Sequence, residues 1–183
     1  GAGVIGQGGP GVDASRAGER VWVFNGQWER PLGTAAEYIA LPADTAIPLP
    51  DSVSFTEGAC LGIPAMTAHR ALLGDGPVAG MTVLVTGAAG AVGNYGVQLA
   101  KWAGAATVIG TVSSEEKAEA GRRAGADHIV NYRTENAVER IMDITDGKGV
   151  DRIVEVVRAG KSPVTASGIT NNGTVAAHPS MRL

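Results

Sequence analysis

The chain has 183 residues, enough for one compact domain and part of another. Its composition, 44% hydrophobic and 18% charged, is typical of folded proteins and excludes a disordered chain. The net charge of −3, without a Lys/Arg run, argues against nucleic acid or an anionic membrane as a partner. No stretch is apolar for the roughly 18 residues that a membrane span needs. Because Cys60 is the single cysteine, no internal disulfide can form, and we expect a reducing, cytoplasmic location.

The first region, residues 1–52, has the pattern of an all-β unit. Short runs of β-forming residues at 20–24, 36–41 and 46–50 are separated by turns rich in Gly and Pro. Helical periodicity is lacking here. These runs predict three strands of a small barrel or sheet.

Residues 53–78 change character and predict a helical connection. Ser54 and Glu57 have the spacing of a capping box, in which each residue satisfies a backbone N–H of the other. Apolar residues follow at helical spacing as far as residue 73. Gly62 and Pro64 interrupt this pattern, so we expect two short helices that meet there.

The remainder, residues 79–183, alternates between strand and helix patterns. The predicted strands are 82–86, 106–112, 128–132, 151–157 and 173–177, and the predicted helices are 91–104, 113–125 and 134–145. This alternation predicts an α/β domain with a doubly wound parallel sheet. Ser113 and Glu116 predict a capping box for the second helix, and Gly125 its C-terminal end. The chain opens inside a Gly-rich stretch and closes just after a strand pattern, so we expect an internal fragment, or an incomplete copy, of a longer protein.

Two glycine-rich stretches resemble a dinucleotide-binding fingerprint, and their contexts differ. Residues 6–11 match G-x-G-x-x-G literally, but Pro10 lies inside the match and no apolar helix follows, so we interpret this stretch as a loop. Residues 86–93, TGAAGAVG, match less well in letters but connect a buried strand to a helix. The second stretch therefore predicts the cofactor site.

Each glycine position of the second stretch has a physical task. Ala88 takes the place of the first glycine, which makes the turn and accepts alanine where φ is negative. Gly90 lets the backbone approach a pyrophosphate, and Gly93 lets the helix pack closely on the strand. The phosphates would then face free N–H groups at the positive end of the helix.

The end of the second Rossmann strand favours NADPH over NADH. An NAD site usually has a carboxylate there for the ribose 2′-hydroxyl, whereas a 2′-phosphate needs cations. Here Ser113 and Ser114 stand at the strand end, Lys117 follows one turn later, and Tyr132 ends the neighbouring strand. Two alternatives stay open: Glu115 or Glu116 could reach a ribose hydroxyl, and Lys117 could belong to a solvated helix face together with Arg122 and Arg123.

Taken together, GIPAMTAHRAL (62–72), VLVTGAAGAVGNYGVQLAKWAGA (83–105) and VNYR (130–133) resemble the zinc-independent quinone oxidoreductases of the medium-chain dehydrogenase/reductase superfamily. The zeta-crystallin branch is nearest. The resemblance implies a partial GroES-like β-barrel in 1–52, followed by an incomplete doubly wound Rossmann domain in 79–183, with the active site between the two. It also implies hydride transfer from NADPH to a small-molecule quinone or activated alkene, and a possible homodimer in the full-length protein.

Carried onto this chain, the resemblance assigns Gly90–Gly93 to the pyrophosphate, Lys117 and Tyr132 to the 2′-phosphate, and Thr67 and Ser180 to the nicotinamide. It also suggests that Lys161 reaches the cofactor. The predicted cofactor-binding residues are Thr67, Ala89, Gly90, Ala91, Val92, Gly93, Ser113, Ser114, Lys117, Tyr132 and Ser180.

Neither a metal site nor a catalytic side chain is predicted. Cys60 lies in an apolar run and is interpreted as a buried structural thiol, and His69 as an interfacial or surface residue. Hydride transfer needs no acid–base set, because the cofactor carries the chemical step. An enoyl-thioester reductase and a non-catalytic, crystallin-like NADPH-binding protein remain alternatives, and a zinc alcohol dehydrogenase is disfavoured.

Overall fold

The computed structural model describes residues 1–155 and 169–177, and the chain divides into two units, Gly1–Met66 and Thr67–Leu183. The first unit contains a three-stranded antiparallel sheet in the order β1-β2-β3. Its strands are β1 (Ala2–Val4), β2 (Arg20–Val23) and β3 (Ala46–Pro48), with short 3-10 turns at Ala14–Arg16 and Ala43–Thr45. Across the described ranges, no helix is long and apolar enough to cross a membrane.

The prediction of a strand at residues 36–41 is wrong, whereas strands occur within 20–24 and 46–50. The central strand has both sides occupied, because Val21 pairs with Gly3 on one side and with Pro48 on the other. The segment 36–41 pairs with none of these three strands, and Tyr38 within it is 90% exposed. A GroES-like barrel in this region stays a prediction.

Helix α1 (Phe55–Leu73) begins with the predicted capping box. The Ser54 N–H donates to Glu57 Oε2 at 2.8 Å, and the Glu57 N–H donates to Ser54 Oγ at 3.2 Å. The Ser54 hydroxyl also donates to Glu57 Oε2, at 2.7 Å, and the two hydrogen bonds that this carboxylate accepts, led by the one from the hydroxyl, lower the pKa of Glu57. Gly62 is non-helical (φ 16°, ψ −135°), so two helical pieces meet there as predicted, and Pro64 falls in the first turn of the second piece, where its missing N–H is tolerated.

The second unit contains a five-stranded sheet in the order β6-β5-β4-β7-β8, in which every pairing is parallel. Its elements are β4 (Thr82–Val85), α2 (Ala91–Trp102), β5 (Thr107–Val112), α3 (Glu115–Arg123), β6 (His128–Asn131), α4 (Ala137–Ile144), β7 (Val150–Glu155) and β8 (Ile169–Ala177). The chain builds outward from β4 to β6 and then returns to place β7 on the other side of β4. This order confirms the Rossmann prediction and puts the topological switch point between β4 and β7.

Apolar residues cover both faces of this sheet. On one face, Val83, Val85 and Val108 pack with Val97 of α2. On the other face, Leu84, Ile109 and Ile153 pack with Ile141 of α4. Neighbouring residues of a strand point to opposite faces, so continuous Val/Ile/Leu runs are what a doubly covered parallel sheet requires. All strand carboxyl ends therefore lie at one edge, where ligands of such folds bind.

Candidate cofactor-binding site

The left-handed residue of the turn between β4 and α2 is Gly87 (φ 63°), which the sequence pattern did not single out. Ala88 follows it without a positive φ and is fully buried. A Cβ on Gly110 of β5 would lie 2.7 Å from the Ala88 Cβ, and one on Gly121 of α3 would lie 3.5 Å from it. Ala88 thus fills space that two glycines leave open. The match to the fingerprint missed both the role of Gly87 and the reason for Gly110.

The two predicted fingerprint glycines differ in what surrounds them. A Cβ on Gly93 would lie 2.2 Å from the Gly87 carbonyl oxygen and 2.7 Å from the Gly87 carbonyl carbon, so only glycine lets α2 come this close. A Cβ on Gly90 would meet only the Gly87 carbonyl oxygen, at 3.3 Å, and Gly90 is exposed. Gly93 therefore serves packing, whereas the protein itself gives Gly90 little reason to be glycine.

Gly90 is the N-cap of α2, and the first turn of this helix presents free donors. The Asn94 N–H donates to the Gly90 carbonyl at 2.8 Å, which opens the helical ladder. The N–H groups of Ala91, Val92 and Gly93 precede that ladder, and none of them has an acceptor within residues 1–155. Together with the helix dipole, these donors form a site for an anion at the carboxyl edge of the sheet.

The end of β5 brings Ser113, Ser114 and Lys117 together, but with a different cap from the one predicted. Ser114 is the N-cap of α3, and its hydroxyl accepts from the Lys117 N–H at 3.4 Å. The predicted Ser113–Glu116 capping box is wrong: β5 ends at Val112 as predicted, but Ser114 is still extended (φ −160°, ψ 162°), so α3 begins at Glu115, one residue later than that box requires. The Ser113 hydroxyl is therefore left to accept from Lys117 Nζ at 3.1 Å.

Tyr132 joins this group from the next strand. Its N–H donates to the Val112 carbonyl at 3.2 Å, which continues the β5–β6 pairing beyond the end of β6. The Tyr132 residue is 52% exposed. A hydroxyl, an ammonium and a phenol thus stand at one edge of the sheet, which is the donor set that a phosphate monoester requires.

Two acidic residues of α3, Glu115 and Glu119, pair with arginines of the same helix. Glu115 accepts a 2.7 Å hydrogen bond from Arg122, and this bond and the Glu115 charge raise the pKa of Arg122. Arg123 lies 3.5 Å from Glu119. Over the described part of the chain, Lys117 is the cation of α3 that forms no ion pair. Arg122 and Arg123 belong to the solvated helix face, and Lys117 does not share their pairing.

Some predicted residues are not joined to this site. Thr67 lies half-buried on α1, and no hydrogen bond connects it with the turn in the described ranges. Ser180 and Lys161 lie outside the described residues. Cys60 is exposed, so its interpretation as a buried thiol is wrong. Within the part of the chain that the structure describes, no three His, Cys, Asp or Glu residues could hold a metal ion.

Comparison with known proteins places this geometry in a family. The model of a family described as zinc-binding dehydrogenase matches residues 91–177. A rat quinone oxidoreductase is 38% identical over 157 residues, covering 85% of this chain and 46% of the relative. The solved structure of Escherichia coli quinone oxidoreductase complexed with NADPH is 30% identical with a TM-score of 0.75, covering 95% of this chain and 52% of that one.

The fold is also similar to that of a second kind of protein, an alcohol dehydrogenase. A solved NAD-dependent alcohol dehydrogenase is 30% identical with a TM-score of 0.85, covering 96% of this chain and 58% of that one. The chain therefore spans about half the length of the proteins it matches. Sequence and fold agree that the chain belongs to the medium-chain dehydrogenase/reductase superfamily, among its quinone oxidoreductase-like members.

Proposed function

We propose that this chain binds NADPH and is part of a reductase that transfers a hydride to a quinone or an activated alkene. One observation carries the proposal: a turn with free N–H donors and a Ser113–Lys117 pair stand at the same edge of the sheet. The first suits a pyrophosphate and the second a 2′-phosphate. NADPH is the nicotinamide cofactor that has both groups.

The residues present fit this cofactor. Gly90 leaves the backbone open, and the N–H groups of Ala91, Val92 and Gly93 can donate to the pyrophosphate oxygens. No carboxylate ends β5, so nothing at that position would repel a 2′-phosphate. Lys117 would supply the positive charge, while Ser113, Ser114 and Tyr132 would donate hydrogen bonds.

The reaction itself depends on the cofactor. When bound, NADPH supplies a hydride from its nicotinamide C4, and the reduced acceptor takes up a proton from solvent. Quinones and activated alkenes share the required property, a conjugated carbonyl that accepts a hydride. The quinone oxidoreductases among the relatives support this acceptor class. An enoyl-thioester acceptor, a cytoplasmic location and a homodimer stay predictions.

An NAD-dependent alcohol dehydrogenase is the second candidate, because a similar solved structure is an NAD-dependent alcohol dehydrogenase and the matching family is one of zinc-binding dehydrogenases. Such a protein should prefer NADH, and it should need a metal. The Ser113–Lys117 pair supports NADPH instead, since a bare ribose hydroxyl gives a lysine no charge to neutralise. Cofactor preference therefore separates the two candidates.

The experiment compares NADPH and NADH binding to the unaltered chain, Lys117→Ala and Lys148→Ala. Lys148 is a matched control because it is also exposed but precedes β7, at the opposite edge of the sheet. Lys117→Ala should weaken the binding of NADPH by roughly 10- to 150-fold and leave the binding of NADH unchanged, since a hydrogen bond to a charged group is worth ~1.5–3 kcal/mol. Lys148→Ala should change neither.

Turnover tests the acceptor separately. A protein that carries this chain should oxidise NADPH when an ortho-quinone or an α,β-unsaturated ketone is added, and it should not reduce NAD⁺ with a primary alcohol. Alcohol oxidation that depends on added zinc would favour the second candidate. If Lys117→Ala weakens the binding of NADPH and of NADH equally, Lys117 does not bind the 2′-phosphate.

A further inference from the structure

The turn that begins at Thr86 and Gly87 is held from both sides by side chains of the neighbouring strands. We propose that Thr111 of β5 and Glu155 of β7 are positioning residues that fix this turn for the pyrophosphate. The inference rests on the proposed function, because it concerns how the same turn meets its ligand. Neither residue belongs to the fingerprint, and each lies on a strand beside β4.

Thr111 binds the turn from the β5 side with two groups. Its carbonyl accepts from the Ala88 N–H at 3.0 Å, and its hydroxyl oxygen accepts from the Gly87 N–H at 3.3 Å. The Thr111 residue is only 4% exposed, and its hydrogen bond from the Gly87 N–H is partly buried. Any strand residue could supply the carbonyl. The hydroxyl is specific to threonine or serine, and it satisfies an N–H that would otherwise be left without an acceptor.

Glu155 acts from the β7 side, across the topological switch point. The Thr86 hydroxyl donates to Glu155 Oε1 at 2.8 Å, and the Thr86 N–H donates to the Val154 carbonyl at 3.1 Å. Both side chains are almost fully buried, at 8% and 7% exposure. A carboxylate acceptor makes this hydrogen bond stronger than a bond between neutral groups. Thr86 is therefore anchored on one side of the turn and Gly87 on the other.

These anchors determine where the donors of α2 point. Gly87 has φ of 63° and is followed after two residues by the N-cap Gly90, so a small rotation at residues 86–87 would swing the whole first turn. A turn fixed before the ligand arrives avoids the entropy cost of ordering it on binding. Because NADPH and NADH share the pyrophosphate, loosening the turn should weaken both equally. Lys117, by contrast, should affect only NADPH.

Thr111→Val is the main test, because it removes the hydroxyl and keeps the shape and strand preference of the residue. Thr107→Val is its matched control on the same strand, at the end far from the turn. Thr111→Val should raise the Kd of NADPH and of NADH by the same factor, about tenfold, with their ratio unchanged. Thr111→Ser returns the oxygen and should restore both affinities. Unfolding midpoints of all variants are measured alongside.

A second pair keeps the inference testable if Thr111→Val does not fold. Thr86→Val removes the donor to Glu155, and Thr82→Val changes the opposite end of β4. We expect Thr86→Val to weaken the binding of NADPH and of NADH by the same factor, and Thr82→Val to leave both affinities unchanged.

Unchanged affinity in both Thr111→Val and Thr86→Val, with binding intact in the unaltered chain, would overturn this inference and leave the proposed function standing. A loss confined to NADPH would also overturn it, because the effect would then belong to the 2′-phosphate pocket. If the unaltered chain binds neither cofactor, the proposed function fails, and the inference fails with it.

Discussion

A single methyl group should have different effects at Gly90 and at Gly93: at one position it should reduce cofactor binding, and at the other it should reduce the stability of the fold. Gly93→Ala would put a Cβ 2.2 Å from a carbonyl oxygen of the Gly87 backbone, which cannot rotate away. Gly90→Ala would put it 3.3 Å from the same oxygen, and the φ of −77° at Gly90 is one that alanine adopts readily. We therefore expect Gly93→Ala to destabilise the fold and Gly90→Ala to impair binding.

The magnitudes follow from these distances. Relief of the Gly93→Ala overlap requires α2 to move away from the turn by more than about 1 Å, given contact distances of roughly 3.5 Å. Overpacking of this kind costs about 1–3 kcal/mol. For a chain of this size, a loss of ~2–3 kcal/mol lowers the Tm by roughly 5–10 °C. The Gly90→Ala change should stay within about 1 kcal/mol, the range of N-cap substitutions.

Thermal unfolding measures the first effect, and titration with NADPH and NADH measures the second. Gly90→Ala should lose about tenfold or more in affinity for both cofactors, because its methyl group occupies the approach of the pyrophosphate. The reasoning is refuted if Gly90→Ala binds both cofactors normally. It is also refuted if Gly93→Ala unfolds at the temperature of the unaltered chain.

Two further predictions concern the edge of the sheet and the packing beside it. Tyr132→Phe should weaken the binding of NADPH by about two- to tenfold and leave the binding of NADH unchanged, because a single hydrogen bond is worth ~0.5–1.5 kcal/mol. Titration with each cofactor measures this, and weaker binding of NADH would contradict the prediction. At Asp127, burial opposes the charge, but hydrogen bonds from Lys101 and the Val108 N–H hold its pKa below the ordinary 3.8. Above pH 3.8, Asp127→Asn should therefore have a lower free energy of unfolding than the unaltered chain, and this difference should vanish as the pH falls through the folded-state pKa of Asp127. Denaturant unfolding between about pH 2 and pH 7 measures the difference, and a constant difference would contradict the prediction.

The Rossmann part of the chain could be predicted because local pattern and tertiary structure agree there. Val83, Leu84 and Val85 are fully buried, as a continuous apolar strand predicts, and Gly125 ends α3 with the positive φ that its position needs. The strand–turn–helix context also separated the fingerprint at residues 86–93 from the literal match at 6–11, which lies in a loop. Where neighbours in sequence decide the structure, the sequence was sufficient.

Two errors arose where the local pattern allowed more than one structure. The alternating pattern of residues 36–41 is typical of a strand, but this segment joins none of the strands of the sheet β1-β2-β3. Ser113 and Ser114 can each cap a helix, and the cap falls on Ser114, whose extended backbone (φ −160°, ψ 162°) starts α3 at Glu115. Tertiary context therefore decided between alternatives that were equivalent in local sequence.

The sequence prediction missed the two residues that support the turn. Thr111 and Glu155 lie 24 and 69 residues from the groups whose hydrogen bonds they accept, and threonine and glutamate at strand ends are ordinary. Only the strand order β5-β4-β7 brings them to the two sides of the turn. A polar residue at the carboxyl end of a strand beside the fingerprint strand is the one sequence signal that could have found them.

The central claim is that this chain distinguishes NADPH from NADH by the Ser113–Lys117 pair at the end of β5. A calorimetric titration of the unaltered chain with both cofactors, side by side, tests it most directly. We predict clearly tighter binding of NADPH than of NADH. Equal affinities, or a preference for NADH, would contradict the claim and favour the second candidate, an NAD-dependent alcohol dehydrogenase.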